Sequence, residues 1–524
     1  MTDLAFLSLT EVSALIAARQ ISPVDIVWEH LSRIEQDNGI LRAYLTVCGD
    51  SSLEQAKAIE REIGRGGIRG PLHGIPISHK DVIFTAGIRT TAHSRSLLDF
   101  VPSYDAAVVG RLADAGMIVL GKTNTTEFAF GGMEVFGTAR NPWNSVYYTG
   151  GSSGGSAGAV AAGLAVAATG TDSLGSIRVP ASFCGAVGLK PSFGRVSRYG
   201  VTPLGWSLDH VGPITRTVRD SALLMNVMAG HDPRDLESAN TTAADFTSEL
   251  SRGVDGCVLG IPDWSLASDV HPETAQRVRG ALEQFERLGA SIEPIRLRHP
   301  SELAPAGWLI LMVEGFAAHR ERLRRAGPSY GIRIRRRLCT GSLFRAVHYQ
   351  TALRIRRAFT AEVERALERV DVLVTPTVPF PAFTVAAQEE NPPDSSIFTC
   401  PFNMSGHPAI SIPCGFTGEG LPVGLQLVGK LFGEASLLRV AHAYEEAMQW
   451  YRQRPRPLES GERFFAAPAP VATTTSPING ALLRWVEAET VRYGLALEVA
   501  DLETIGMEYQ RIEAALADQG GPSW

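Results

Sequence analysis

Between Gly150 and Pro180 the chain reads GGSSGGSAGAVAAGLAVAATGTDSLGSIRVP. Two serines, Ser152 and Ser176, each sit in a glycine-rich turn, and the body between them is Ala, Gly and Val with no charge before Asp172. A flexible linker would be polar as well as Gly/Ser-rich. This segment is apolar between its turns, so it is expected to be buried and ordered. Glycine lets the backbone adopt positive φ and approach a ligand closely. A chain can thereby present a hydroxyl and several backbone N–H groups to one reacting atom.

The 524 residues can bury a large core. The 44% hydrophobic and 20% charged fractions are those of an ordinary soluble protein. A net charge of −6 gives no electrostatic footprint for nucleic acid or for an anionic membrane surface. The cysteines at 48, 184, 257, 339, 400 and 414 form no CxxC pair and read as reduced thiols. The N-terminal MTDLAFLSLTEV lacks a basic region, and no run reaches the roughly 18 apolar residues of a membrane span. A cytoplasmic location is the resulting expectation.

Ser8 with Glu11 fits a capping box, and Ser22-Pro23 opens a second helix. From Pro71 short apolar runs alternate with helical stretches such as 105–115. The runs at 75–77, 117–120, 370–374, 409–413 and 423–428 read as buried strands, which signals an α/β protein. Residues 270–370 are mainly helical. The basic run Arg333, Arg335, Arg336, Arg337 reads as a solvated helix face. Residues 466–477 have linker composition, and 478–524 form a helical extension, which leaves 1–465 as the main domain.

Three chemistries compete for the serine cluster. A phosphate-binding loop lacks its Lys-Ser/Thr after the last glycine. A nucleophile elbow is satisfied by Gly150–Gly154 with Ser152 and by Gly151–Gly155 with Ser153, and would recruit His210 or His407. The third chemistry uses both serines and a lysine. A serine hydroxyl needs a base, and burial can bring a lysine from about 10.4 towards about 7–8. Lys80, after the apolar run 74–78, is the candidate; alternatively it pairs with Asp81 at the surface.

GGSSGGS (150–156), GTD (170–172), GSIRVP (175–180) and Lys80-Asp81 together resemble the amidase signature family. GKTNTTEF (121–128), NPWN (141–144), ASFCGAVGLKPSFGRVSRYG (181–200), SLDHVGPITRTVRD (207–220), VDVLVTPTVP (370–379) and GLPVGLQLVGK (420–430) extend the likeness over roughly residues 5–460. The resemblance implies an α/β fold with a large mixed twisted β-sheet covered by helices on both faces. It also implies a Ser-cisSer-Lys triad, with Ser176 the nucleophile, Ser152 the bridge and Lys80 the base. Backbone N–H groups of Ser173, Leu174, Gly175 and Ser176 would bind the oxyanion. Asp172 and Arg178 would hold the nucleophile loop, beside Ser153. Phe128, Phe130, Met133 and Trp206 are candidate pocket residues, or core. No metal and no cofactor is required.

Two departures stand out. Leu174 replaces the family's usual glycine before Gly175, and His79 replaces its apolar residue before the lysine. A cationic His79 would depress Lys80. The expected activity is hydrolysis of a small carboxylic amide through a Ser176 acyl-enzyme. The expected partners are that amide and other copies of the chain as a homo-oligomer, with no nucleic acid and no membrane. The alternatives are the glutaminase (A) component of a tRNA-dependent amidotransferase, with Arg356 holding a substrate carboxylate, and a catalytically silent scaffold.

Overall fold

The computed structural model describes residues 3–241, 244–390, 392–457, 480–492 and 497–518; the linker read at 466–477 lies outside them. The first two helices begin where their caps require. Glu11 N–H donates to Ser8 Oγ at 3.1 Å and Ser8 N–H to Glu11 Oε2 at 2.7 Å. Ser22 and Asp25 repeat the exchange at the start of Pro23–Leu41, with Pro23 in the first turn.

Eleven strands build one mixed sheet: β1 (Tyr44–Val47), β2 (Pro76–Lys80), β3 (Ile118–Thr123), β4 (Ala167–Asp172), β5 (Val187–Lys190), β6 (His210–Thr215), β7 (Val258–Pro262), β8 (Ser291–Ile295), β9 (Val372–Pro376), β10 (Ala409–Phe416) and β11 (Pro422–Val428). Their spatial order is β1-β3-β2-β4-β6-β5-β10-β11-β9-β7-β8. All five apolar runs noted in the sequence lie in strands. Their central members are buried from end to end, so they carry no polar–apolar alternation. The short, polar SIEPI of β8 is half exposed and sits at the sheet edge, which hid it from any periodicity.

The site is set by three parallel neighbours. β2 pairs with β3 on one side and with β4 on the other, Ile77 opposite Ala167 and His79 opposite Thr169. Lys80 and Asp172 therefore end adjacent strands at the same edge of the sheet, the carboxyl edge where α/β proteins open their clefts.

Helices Pro300–Ala326 and Ile332–Leu343 pack together beside this edge, and the C-terminal helices Gly480–Arg492 and Val499–Asp518 pack onto them. Val486, Ile505, Tyr509 and Ile512 are buried and belong to the same apolar cluster as the sheet residues. This packing corrects the reading of the basic run as a solvated face. Arg336 Nε donates to Asp501 Oδ1 at 2.8 Å, Arg333 to the Gln388 carbonyl at 2.9 Å, and Arg337 to the Phe130 carbonyl. A charged face looks the same in sequence whether water or another helix covers it.

Candidate active site

Lys80 is fully buried at the end of β2. Its Nζ lies 2.6 Å from Ser152 Oγ and 2.7 Å from Thr171 Oγ1. Burial lowers its pKa to about 7, against the opposing pull of Asp172 and Asp209. The surface pair with Asp81 is not formed. Asp81 is itself buried, accepts from Thr91 N–H at 2.9 Å and Thr91 Oγ1 at 2.5 Å, and faces the charge of Lys122. Nor is His79 cationic: burial, then Lys122, lowers it to about 3, and its Nδ1 is 3.0 Å from Thr169 Oγ1. The low basicity of Lys80 comes from desolvation.

Ser152 follows a cis Gly151–Ser152 peptide and precedes the buried helix Gly154–Ala161. Gly155 is required there, since a Cβ would fall 2.3 Å from Asn124 N and 2.5 Å from Ala43 O. Ser153 Oγ donates to the Thr171 carbonyl at 3.1 Å, and its N–H donates to the Ser176 carbonyl at 3.1 Å. Ser153 thus stitches the two serine turns together through β4. Ser152 and Ser176 open onto one cavity of about 520 Å³. Among the described residues the Ser176 hydroxyl makes no hydrogen bond, so the serine-to-serine contact is left to close with substrate, as in many free enzymes.

The nucleophile turn is held from beneath by Asp172. Its carboxylate accepts from Gly175 N–H at 2.7 Å, Ile177 N–H at 3.1 Å and Asn403 Nδ2 at 2.8 Å, and takes two bonds of 3.0 Å from Arg178. Burial opposes its ionisation, but Arg178, Lys190 and Asn403 keep it well below the usual carboxylate range. Arg178 continues to Gln426 Oε1 at 2.7 Å and the Thr399 carbonyl at 3.1 Å, so every arm of this buried ion pair is bonded.

Gly175 must be glycine: its φ is +131°, and a Cβ would lie 2.1 Å from Thr399 Oγ1. Its N–H, however, is taken by Asp172 and is not free for an oxyanion. The N–H groups of Ser173, Leu174 and Ser176 have no partner among the described residues and are the available donors. Ser173 is fixed by its own Oγ donating to Asp209 Oδ1 at 2.5 Å.

Of the four pocket candidates, Phe130 lines the cavity, its ring stacked on Trp308 with centroids 6.1 Å apart. Phe128 stacks on Tyr330 in the core, and Met133 packs with Tyr148 and Val385. Trp206 is half exposed, lies under Arg198, and borders a separate cavity of about 200 Å³ beside Thr171 and Ser173. An aromatic ring's sequence position carries no sign of which side of the core it faces.

The histidines of the elbow reading are elsewhere. His210 Nδ1 meets the Leu208 carbonyl at 2.6 Å and the Asp172 carbonyl at 3.2 Å. Burial and Lys190 hold it well below its normal pKa. His407 is likewise lowered, to about 4, chiefly by burial. Neither contacts a serine of the cluster. Arg356 is consumed by the Met404 carbonyl at 2.6 Å and by Ser207 at 2.7 and 2.9 Å, and does not line the cavity. The residues missed from sequence are Thr171, Asp209 and Asn403, together with Trp308, Arg337, Glu508 and Arg511 in the cavity wall. Only Asp209, inside the recognised SLDHVG segment, carried a sequence signal.

The family model for amidases matches residues 25–438. The chain belongs to the amidase family and is an amidase-signature amidohydrolase. The A subunit of the glutamyl-tRNA(Gln) amidotransferase of Moorella thermoacetica is 41% identical over 485 residues, covering 86% of this chain and 99% of that protein. The solved structure of the corresponding protein from Thermotoga maritima matches at 34% identity with a TM-score of 0.73, over 85% of this chain and 96% of its own. A structure described as an unexpected vestigial protein complex, revealing the evolutionary origins of an s-triazine catabolic enzyme, matches at 30% identity with a TM-score of 0.81, over 86% and 100%.

These relatives overturn the expected partner set. A small amide and further copies of the same chain, with no nucleic acid, does not fit a group whose members are by name one component of an enzyme directed at a tRNA. Net charge misled because it sums a whole surface and says nothing of what a companion protein contacts. Among the described residues no helix is long and apolar enough to cross a membrane.

Proposed function

We propose that this chain is the glutamine-hydrolysing component of a tRNA-dependent amidotransferase. The observation that carries the reading is the 41% identity to such a protein over 99% of its length. The reaction follows from the cluster. Lys80, neutral above about pH 7, takes the proton of Ser152 as Ser152 takes that of Ser176. Ser176 Oγ attacks the carboxamide carbon, and the N–H groups of Ser173, Leu174 and Ser176 receive the oxyanion. The C–N bond breaks as the proton returns through Ser152 to the leaving nitrogen, which departs as ammonia. Water then attacks the ester by the same relay, giving the carboxylate and free Ser176.

A second reading, an amidase acting alone on a small amide, is favoured by one feature. Phe130, Trp308 and Leu174 give the cavity apolar walls suited to a greasy acyl group. Ammonia release separates the two. The amidotransferase reading expects glutamine turnover that rises at least about tenfold when the companion subunits of such a complex are added. Rapid turnover of simple aryl or alkyl amides by the isolated chain, with glutamine inert in both settings, would overturn it.

A further inference from the structure

The family match ends at residue 438, yet the helix Val499–Asp518 reaches the cavity onto which Ser176 opens. It is firmly docked. Leu502, Ile505, Tyr509, Ile512 and Leu516 recur at helical spacing and are buried. Asp501 pairs with Arg336 at 2.8 Å, and the Tyr509 ring packs 5.2 Å from that of Phe344. This register turns Glu508 and Arg511, one helical turn apart, towards the cavity, and both line it.

The other charges there are already engaged. Asp394 accepts from Trp308 Nε1 at 3.1 Å and from Ser396, and Arg337 is bonded to Phe130 and lies over the Trp308 ring. Glu508 and Arg511 make no hydrogen bond among the described residues. Glu508 is half-buried and Arg511 exposed, which places an anion and a cation at the mouth of a cavity whose inner walls are apolar.

The geometry points to the C-terminal helix as a substrate-selecting wall: Glu508 and Arg511 receive the ammonium and the carboxylate of an amide that is zwitterionic at the end remote from its carboxamide. This rests on the acyl transfer assigned to Ser176, and a free amino-acid amide such as glutamine is the class it fits. Neither residue touches the reacting atoms; both act on which substrate is held.

The test compares kcat/KM for four amides of one length: butyramide, succinamate, 4-aminobutyramide and glutamine. In the full chain with its companion subunits where these are needed, Arg511→Glu is expected to lower the succinamate-to-butyramide ratio about fivefold or more. Glu508→Lys is expected to lower the 4-aminobutyramide-to-butyramide ratio about as much, and Arg511→Lys to restore most of the first ratio. These are the modest sizes of exposed and half-buried charge pairs. Where turnover is too slow, labelling rates of Ser176 by fluorophosphonates with neutral, anionic or cationic tails give the same ratios. Ratios unmoved by either reversal, or all substrates shifted equally, would overturn the proposal. Failure of the acyl-transfer reading looks different: no Ser176 labelling, and Ser176→Ala as active as wild type.

Discussion

The floor and the wall of the Ser176 cavity are built by opposite rules. The floor comes from one stretch of chain, Lys80 to Arg178. There nearly every polar atom is bonded to another of the set: Lys80 to Ser152 and Thr171, Ser153 to β4, Asp172 to Gly175 and Arg178. The wall is assembled from segments far apart in sequence, with Phe130 and Trp308 on one side and Glu508 and Arg511 on the other. In the floor, buried charge without partners is costly, so residue type and spacing are tightly fixed. In the wall any side chain of suitable size packs, so it is free to vary. The reaction is set by the first region and the substrate by the second.

The sharpest way to break this division is at the lysine. Lys80→Ala is expected to cost about 10⁴-fold or more in kcat, as losses within a nucleophile-and-base unit do, while His210→Ala costs far less. Steady-state ammonia release with circular dichroism as a folding control decides it. Full activity in Lys80→Ala with none in His210→Ala would return the elbow chemistry.

Asp172 probes how far the floor depends on its own bonding. Asp172→Asn leaves Arg178 buried without its counter-charge and weakens the acceptor that Gly175 N–H uses. Breaking such a pair destabilises by about 3–5 kcal/mol. Urea unfolding should show a loss of that order together with a collapse of turnover. A loss under about 1 kcal/mol would mean the turn is held by Thr399, Asn403 and its glycine alone.

The same division explains what could be read from the chain. The sheet strands announced themselves as apolar runs, and the serine turns as glycine-rich punctuation in an apolar segment. The family likeness then tied Lys80 to them, although the local sequence alone favoured pairing with Asp81. What sequence could not supply was direction. Gly175 looked like a free donor until Asp172 was found to bend back onto it. His79 looked like a possible cation until its complete burial was seen. Arg333 to Arg337 looked solvated because the helix that covers them begins at Val499 and shares no local pattern with them. Such features are decided by long-range packing, which composition and periodicity do not encode.

The smallest effect tests the source of the lysine's reactivity. Lys80 is lowered from 10.5 to about 7 because burial disfavours its ammonium form. Catalysis needs the neutral amine, whose fraction grows as pH rises through the folded pKa. The limiting slope of log kcat/KM should therefore be about one below pH 7, with a plateau above. Stability carries the same sign. The unfolded chain holds this proton up to about 10.4 while the folded chain releases it near 7, so proton uptake favours unfolding. The Lys80 penalty is complete below about pH 7 and fades as pH climbs towards 10.5. Thr171→Val removes the hydroxyl that accepts from Nζ at 2.7 Å and should move the kinetic pKa further down, since the ammonium loses a partner in a site that stays dry. A profile flat from pH 5.5 to 8.5 would show that Lys80 is not the titrating base; a midpoint near 10 would show that water reaches it and that desolvation is not what tunes this floor.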